Sequence, residues 1–210
     1  MKSTANPEQF WNQKYATDSF IYGQRPNAFF IEQLDCLPSG ILLLPAEGEG
    51  RNAVYAAKKG WNTEAFDISP NGRQKALQLA KKHNVSLRYK ISGYREFEII
   101  TESYDAIGLI YAHIHKDIRC EMHQKLIGGL KPGGTLILEA FAKEQVRYES
   151  GGPKDEAMLY SREELAEDFK ALHLLTLDKC ETTLDEGLHH QGQAAVIRLV
   201  GQKQDTQIQK

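Results

Sequence analysis

The sequence predicts an α/β protein with a doubly wound, mostly parallel sheet of seven strands that includes an antiparallel C-terminal strand. Three observations lead to this fold class. Short apolar runs alternate with helical patterns between residues 41 and 141, a glycine turn joins the first run to the first helix, and two strand patterns without a helix between them close the chain. Alternation requires parallel strands with right-handed crossovers, whereas two consecutive strands form an antiparallel pair.

The first four strands and their helices follow from apolar periodicity. The run ILLL is of the buried-strand type, the helix after it ends at Gly60, and YDAIGLIYA is strongly apolar. The expected strands are 41–44, 61–69, 86–91 and 104–112, and the expected helices are 52–60, 71–84 and 116–130.

The second half of the chain contains a break, a long loop and a strand pair. The sequence KPGG should end the helix before a fifth strand at 135–141, and Ser161 with Glu164 forms a capping-box pattern at the start of a helix over 161–173. The segment 142–160, rich in charge, glycine and tyrosine, is too long for a plain connection and is a possible lid. The last two strands are expected at 174–184 and 193–201, with a turn around 185–192.

Composition limits the partners. The length of 210 residues predicts one domain, 1–210. A net charge of −2 with a pI near 6.4 disfavours nucleic acid and membrane surfaces, so a small-molecule partner is expected.

Three unpaired cysteines predict a reducing compartment, and the absence of an apolar leader or span predicts a cytoplasmic protein. No metal site is predicted, because His189 and His190 lack further ligands and are interpreted as surface residues. Monomer and homodimer both stay open.

The glycine turn lies in LLLPAEGEGRNA, at the end of the first strand. Gly48, Gly50 and Ala53 satisfy the spacing of a dinucleotide-binding turn. Asp67 follows 17 residues after Gly50, at the end of the second strand, where a ribose-binding acid is expected. An NAD-dependent oxidoreductase is therefore one alternative.

Two carboxylates in that turn argue against a diphosphate. Glu47 and Glu49 would repel it at close range, and Arg51 would offset only part of the repulsion. A cationic nucleoside without phosphate suits the turn better. S-adenosylmethionine is such a ligand, and its positive charges would explain both glutamates.

The motifs ILLLPAEGEGRNAVYAA, AFDIS, SYDAIGLIYAHIH and LKPGGTLILEAF together resemble those of the class I S-adenosylmethionine-dependent methyltransferases, particularly small bacterial members of the tellurite-resistance and thiopurine types. The resemblance implies a Rossmann-like fold and methyl transfer to a small-molecule thiol, amine or chalcogen oxyanion. It also implies that residues 1–38 form a cap over the active site. The cofactor-binding residues that it implies are Ala46, Glu47, Gly48, Gly50, Asp67 and Ile68.

Two positions depart from the family pattern. The acid common in the first strand is replaced by Leu44, so Glu47 is expected to contact the amino group of the cofactor. The acid common after the third strand is replaced by Gly93, which leaves Tyr94 or the backbone to contact the adenine. These departures keep a third alternative open, a non-catalytic binding module that retains the fold.

The acceptor side is predicted from residues at the strand ends and in the cap. His113 is a candidate base, and Tyr22 is a candidate catalytic residue because an aromatic face favours a sulfonium. Arg25, His115 and Tyr148 are candidate substrate-binding residues. Each has a structural alternative: His113 can bond to a neighbouring loop, Arg25 can tether a loop, and His115 can lie in solvent.

Overall fold

A computed structural model describes residues 6–204, and it contains one seven-stranded sheet. The strand order β3-β2-β1-β4-β5-β7-β6 confirms the predicted fold class. Strands β1 to β5 run parallel, and β7 is antiparallel to both of its neighbours. The strands are β1 (Ile41–Pro45), β2 (Asn62–Asp67), β3 (Arg88–Ile91), β4 (Tyr104–Ile110), β5 (Leu130–Phe141), β6 (Leu172–Asp185) and β7 (Gln191–Lys203).

Helices cover both faces of this sheet, and local capping explains where several of them begin. The side chains of Asn6, Asn27 and Ser69 each accept a backbone N–H of the helix that follows. The predicted capping box of Ser161 and Glu164 is present. The helices are α1 (Pro7–Lys14), α2 (Ala28–Leu34), α3 (Arg51–Lys58), α4 (Pro70–Lys82), α5 (Lys116–Gly129) and α6 (Arg162–Asp168).

The sheet order creates a crevice at the carboxyl ends of β1 and β4. From β1 the chain moves outward through β2 and β3, then crosses back to place β4 on the other side of β1. The helices that follow β1 and β4 therefore lie on opposite faces of the sheet, which leaves an opening between the two strand ends. The glycine turn after β1 borders this opening.

The fifth strand differs from the sequence prediction. Strand β5 begins at Leu130, directly after α5, although KPGG was expected to separate the two elements. The register of its pairing with β4 shifts, because Tyr104 pairs with Leu130 but Ala106 pairs with Thr135. Residues 131–134 therefore form a bulge in β5. Gly133 has a φ of +78°, which glycine adopts without steric cost.

The segment 142–160 packs against the sheet instead of extending as a plain loop. It contains two short 3₁₀ helices, Lys143–Arg147 and Glu156–Met158. The buried side chain of Gln145 accepts the backbone N–H of Ala195 at 2.9 Å and donates to the hydroxyl of Ser150. The first part of the segment is thus anchored to β7. The opening of the segment as a lid stays a prediction.

The N-terminal segment folds onto the rest of the domain through α1 and α2. Helix α1 contacts α4, and α2 packs against β5 through Phe29, Phe30 and Leu34, which are buried. Residues 1–5 of the predicted cap lie outside the described residues. Within residues 6–204 no helix has the length and apolar character needed to span a bilayer.

Candidate active site at the carboxyl ends of the strands

The turn after β1 has the backbone conformation that its glycines predict. Ala46, Gly48 and Gly50 have φ values of +50°, +61° and +85°. A Cβ on Gly48 would lie 2.6 Å from the hydroxyl of Tyr15, which packs on this turn. A Cβ on Gly50 would lie 2.5 Å from that of Ala76, so Gly50 allows α3 and α4 to approach closely. Gly50 therefore serves helix packing.

Asp67 ends β2 beside this turn and holds it in place. One carboxylate oxygen accepts the backbone N–H of Gly48 at 3.1 Å, and the other accepts that of Ser69 at 2.8 Å. Burial raises the pKa of Asp67 to about 6, against the effect of these hydrogen bonds. Because a carboxylate oxygen accepts more than one hydrogen bond, both oxygens retain capacity for a diol. The geometry therefore fits the predicted ribose-binding role.

Glu47 caps the helix that follows the turn. One of its oxygens accepts the backbone N–H groups of Asn52 and Ala53, each at 2.8 Å, and the other accepts the amide of Asn52 at 3.3 Å. These N–H groups lie in the first turn of α3, where a diphosphate binds in dinucleotide-binding folds. The carboxylate already occupies that position. Burial raises the pKa of Glu47 to about 7.

Glu49 faces away from the crevice, in contrast to the expectation that cofactor charge explains both glutamates. It is buried and accepts the backbone N–H of Ile21 at 2.8 Å and that of Tyr22 at 3.4 Å. Its other oxygen forms a salt bridge with Lys75 of α4. Glu49 thus anchors the N-terminal segment to the domain.

Ile68 and Tyr94 lie on the side of the crevice formed by β2 and β3. Ile68 is half-buried and would contact a Cβ on Gly93 at 3.6 Å. The ring of Tyr94 packs edge-on against Phe66 at 5.6 Å. The Tyr94 hydroxyl is buried and finds no hydrogen-bond partner among residues 6–204. A buried hydroxyl without a partner is costly, so it is suited to a polar ligand group.

Aromatic side chains of the cap cover the glycine turn. Trp11 stacks on Tyr15 with 5.5 Å between ring centroids, and Tyr22 lies 6.5 Å from both rings. The ammonium group of Lys14 lies 5.1 Å from the centroids of Trp11 and Tyr22. These faces therefore already hold one cation, which supports the prediction that they favour positive charge.

The structure does not support His113 as a base. Its Nδ1 is 2.7 Å from the carbonyl oxygen of Met158, and its Nε2 accepts the backbone N–H of Phe141 at 3.3 Å. Both ring nitrogens are thus used by backbone groups. Burial also lowers the pKa of His113 to about 4. The structural alternative, a bond to the neighbouring loop, describes this histidine.

The three predicted substrate-binding residues have structural partners. His115 caps α5 by accepting the backbone N–H of Asp117 at 3.3 Å. Arg25 pairs with Asp185 near the end of β6, and both side chains are exposed. Tyr148 donates to Glu181 of β6 at 2.8 Å. These contacts place His115 at a helix start and the other two in tethers between segments.

A buried polar cluster at this edge was missed by sequence analysis. Glu139 of β5 accepts the hydroxyl of Tyr111 at 2.9 Å, the amide of Asn27 at 2.6 Å and Nε of Arg198 at 2.6 Å. The Asn27 amide also donates to Glu186 at 2.9 Å. A cavity of about 400 Å³ opens beside this cluster between α2 and the end of β6, and Arg25 lies in its wall. The acid within the apolar run TLILEAF was the one available sequence signal.

His190 belongs to the same edge, so its interpretation as a surface residue was wrong. It is 4% exposed, whereas the neighbouring His189 is exposed. Its ring centroid lies 4.4 Å from that of Tyr22, 4.6 Å from that of Tyr111 and 5.2 Å from that of Phe141. The turn between β6 and β7 therefore closes one wall of the crevice. Pairing of distant segments produces this placement, which no local pattern reveals.

The raised pKa values of Glu47 and Asp67 predict how stability changes with pH. A carboxyl whose pKa is higher in the folded protein favours folding when protonated, so its contribution falls between the unfolded and folded pKa values. For Glu47 this window runs from 4.5 to about 7. We expect the unfolding free energy of wild type minus that of Glu47→Gln to decrease as the pH rises from 4.5 to about 7, by up to ~1.4 kcal/mol per unit of pKa shift.

Urea unfolding at several pH values measures this difference. Glu121, which is exposed on α5, provides the matched control substitution Glu121→Gln, measured in the same way. A pH-independent difference for Glu47→Gln would contradict the raised pKa of Glu47.

Comparison with known proteins agrees with this architecture. Residues 44–134 match a family model described as a methyltransferase domain. A search of curated protein sequences finds no significant match. The structure is similar to that of a protein from work on the conversion of a disulfide bond into a thioacetal group during echinomycin biosynthesis, with a TM-score of 0.77 and 12% identity over 97% of this chain and 94% of that chain.

Two further solved structures share the fold. TehB from Haemophilus influenzae has a TM-score of 0.67 and 17% identity over 94% of this chain and 67% of that one. The 1,6-didemethyltoxoflavin-N1-methyltransferase of Burkholderia thailandensis, solved with 1,6-didemethyltoxoflavin and S-adenosylhomocysteine, has a TM-score of 0.61 and 16% identity over 85% and 79% of the two chains. The resemblance to class I methyltransferases is thereby confirmed: the chain has the fold of the class I S-adenosylmethionine-dependent methyltransferases, and its residues 44–134 match the methyltransferase-domain model.

Proposed function

We propose that this protein is an S-adenosylmethionine-dependent methyltransferase that acts on a small-molecule nucleophile. The observation that carries the proposal is the occupied N-terminus of α3. Glu47 accepts the backbone N–H groups of Asn52 and Ala53, each at 2.8 Å. A diphosphate would have to displace this carboxylate from the helix N-terminus and would then be repelled by it at close range. A nucleoside cofactor without phosphate avoids this conflict, which disfavours the NAD alternative.

The residues around the turn fit the parts of such a cofactor. Asp67 would bind the ribose hydroxyls, Ile68 would pack on the adenine, and the hydroxyl of Tyr94 would gain a polar partner. Glu47 can accept the ammonium group through the oxygen that has only one long contact, at 3.3 Å to Asn52. Ala46 and Gly48 would approach the methionine end through the backbone. Gly50 would act indirectly, by setting the distance between α3 and α4.

The acceptor would lie beyond the ends of β4 and β5, under the cap. S-adenosylmethionine would supply a methyl group bound to a positively charged sulfur. The protein would position the nucleophile in line with that methyl group and exclude water. The cap contributes Tyr22, and the strand ends contribute Tyr111 and Phe141, whose rings pack around His190 at this edge. An acceptor position covered by the cap suits a thiol, an amine or a chalcogen oxyanion better than a macromolecule.

Calorimetric titration of the purified chain with S-adenosylmethionine, S-adenosylhomocysteine and NAD tests the cofactor. We expect binding of the first two and none of NAD. Binding of NAD alone would favour the oxidoreductase alternative, and binding of none of the three would favour the non-catalytic module. Formation of S-adenosylhomocysteine with small thiols, amines and oxyanions then tests the reaction itself.

A further inference from the structure

His190 is the histidine best placed to act on a substrate in the crevice. Its imidazole is enclosed by Tyr22 of the cap, by Tyr111 just after β4 and by Phe141 at the end of β5, with ring centroids 4.4 to 5.2 Å away. Tyr22 in turn neighbours Tyr15, which packs on Gly48 of the glycine turn. The imidazole therefore lies at the same edge of the sheet as the cofactor turn, separated from it by two aromatic rings.

A carboxylate lies beside one edge of this imidazole. Glu186, four residues earlier in the same turn, places an oxygen 3.5 Å from Nδ1 of His190. Glu186 is itself held by Arg51 at 2.8 Å and by the Asn27 amide at 2.9 Å. Arg51 is the first residue of α3, directly after the glycine turn. The carboxylate is thus positioned from both the cofactor turn and the cap.

The carboxylate determines which ring nitrogen is available. Nδ1 is buried and has no good hydrogen bond within the described part of the chain, and Glu186 is the nearest acceptor for its proton. A proton on Nδ1 leaves a lone pair on Nε2. A Cβ on Gly151 would lie 2.8 Å from Cδ2 of His190 and 3.4 Å from Nε2, so only glycine fits beside this edge of the ring. Among residues 6–204, Nδ1 but not Nε2 is a fully buried nitrogen of this ring without a hydrogen-bond partner. His113, in contrast, uses both ring nitrogens for backbone contacts.

The environment of His190 favours the neutral form of its imidazole. Burial lowers its pKa, as do the charges of Arg51 and Lys14, whereas Glu186 raises it. Tyr22, Tyr111 and His113 are the other titratable groups that face it. Arg51 and His190 hold the pKa of Glu186 down at about 2 against the effect of its burial, so that carboxylate stays ionised. A neutral imidazole beside a fixed carboxylate is the arrangement of a general base.

We propose that His190 is the general base of the methyl transfer and that Glu186 is its positioning residue. The inference rests on the proposed function and changes its acceptor class to groups that lose a proton on methylation, which are a thiol, an amine or a hydroxyl. The acceptor proton moves to Nε2, the acceptor lone pair forms the bond to the methyl carbon, and the carbon–sulfur electron pair stays on sulfur. The proton on His190 then passes to solvent. A fully deprotonated oxyanion requires no such base.

The tautomer of His190 gives a readout independent of turnover. Nitrogen-15 spectra of the imidazole, assigned by the loss of its signals in His190→Gln, are expected to show a protonated Nδ1 and an unprotonated Nε2 at pH 7. Glu186→Gln should shift the tautomer population toward protonated Nε2. A charged imidazole, or a proton on Nε2 in the wild type, would overturn the proposal even if no acceptor were known.

Activity gives the second readout, with thiophenol, benzylamine and phenol as acceptor probes. For each probe that the wild type methylates, His190→Gln should lower turnover about 10²- to 10⁴-fold. It should keep wild-type S-adenosylhomocysteine affinity and lose the acid limb of the pH–rate profile. His189→Gln, at the exposed neighbour, should match the wild type. Glu186→Gln should move the acid limb, which a merely structural role would not do.

The outcomes separate the two proposals. If the wild type binds no S-adenosylmethionine, the proposed function fails. If it binds the cofactor and methylates a probe, and His190→Gln is equally active, only the assignment of the base fails. Thermal unfolding of His190→Gln checks that its fold is intact. Should that variant unfold, His190→Asn and the wild-type tautomer decide the question.

Discussion

Replacing Asp67 by alanine is expected to weaken S-adenosylmethionine binding by about 1–3 kcal/mol, because the ribose would lose charge-assisted hydrogen bonds. The carboxylate ends β2 beside the glycine turn, and each oxygen accepts a single backbone N–H, from Gly48 or Ser69. Calorimetry with S-adenosylhomocysteine measures the loss without turnover. An unchanged dissociation constant would remove Asp67 from the site.

The alanine variant also removes the two contacts that hold the turn, so a second variant and a control are needed. Asp67→Asn retains the shape and one acceptor, and should lose less affinity than Asp67→Ala. Asp105 is the matched control. It also accepts a backbone N–H, that of Ile41 at 2.7 Å, but lies near the start of β4, at the opposite edge of the sheet. Asp105→Asn should lower stability and leave cofactor affinity within about twofold, as expected for a distant site.

The pH dependence of cofactor binding follows from the same carboxylate. Because the pKa of Asp67 is about 6 in the ligand-free protein, lowering the pH from 7 to 5 protonates most of it. If the ribose and the positive charges of the cofactor favour the ionised form, affinity should decrease by about tenfold over this range. Glu47, with a pKa near 7, would contribute in the same direction.

Local sequence patterns predicted the sheet and the cofactor side of the site because both depend on neighbouring residues. The turn glycines lie directly after β1, and Asp67 ends β2, so chain order alone brings them together at one edge. Some strand boundaries differ from the predicted ones, such as the start of β5 at Leu130, because they depend on pairing with β4. Apolar periodicity contains no information about such pairing.

The acceptor side could not be predicted in this way because its contacts join distant segments. Asn27 and Glu139 are 112 residues apart in sequence, and Ile21 and Glu49 are 28 apart. His113 had the expected position after β4, but Met158 and Phe141 supply the backbone groups that satisfy its ring. His190 received its environment from Tyr22, Tyr111 and Phe141, all of which are distant from it in sequence. The identity of a base therefore depended on tertiary contacts, whereas the position of the cofactor turn did not.

Replacing Glu49 by alanine is expected to lower the free energy of unfolding by about 3–5 kcal/mol, because it would leave a buried ammonium group unpaired. The side chains of Glu49 and Lys75 are 3% and 9% exposed in their salt bridge. The backbone N–H of Ile21 would lose its acceptor as well. Urea unfolding measures the loss. A change below about 1 kcal/mol, which is typical of a surface ion pair, would contradict the prediction.

The exposed pair of Arg25 and Asp185 provides the control, since its side chains are 77% and 75% exposed. Asp185→Ala should cost less than about 1 kcal/mol, as expected for a surface pair. The double variant Glu49→Leu with Lys75→Met should recover much of the loss, because an apolar pair removes the unpaired charge. It should not restore the anchoring of Ile21, so the cap would stay loosened in that variant.

Cofactor binding shows whether Glu49 only stabilises the fold or also positions the cap over the site. The cap brings Tyr15 onto Gly48 and Tyr22 onto His190, and Glu49 accepts backbone N–H groups of the segment that joins them. A stable double variant that binds S-adenosylhomocysteine as tightly as wild type would show that Glu49 serves stability alone. Weaker binding by that variant is the result we expect. It would mean that the second glutamate of the turn supports the site by positioning the cap, without contacting the cofactor.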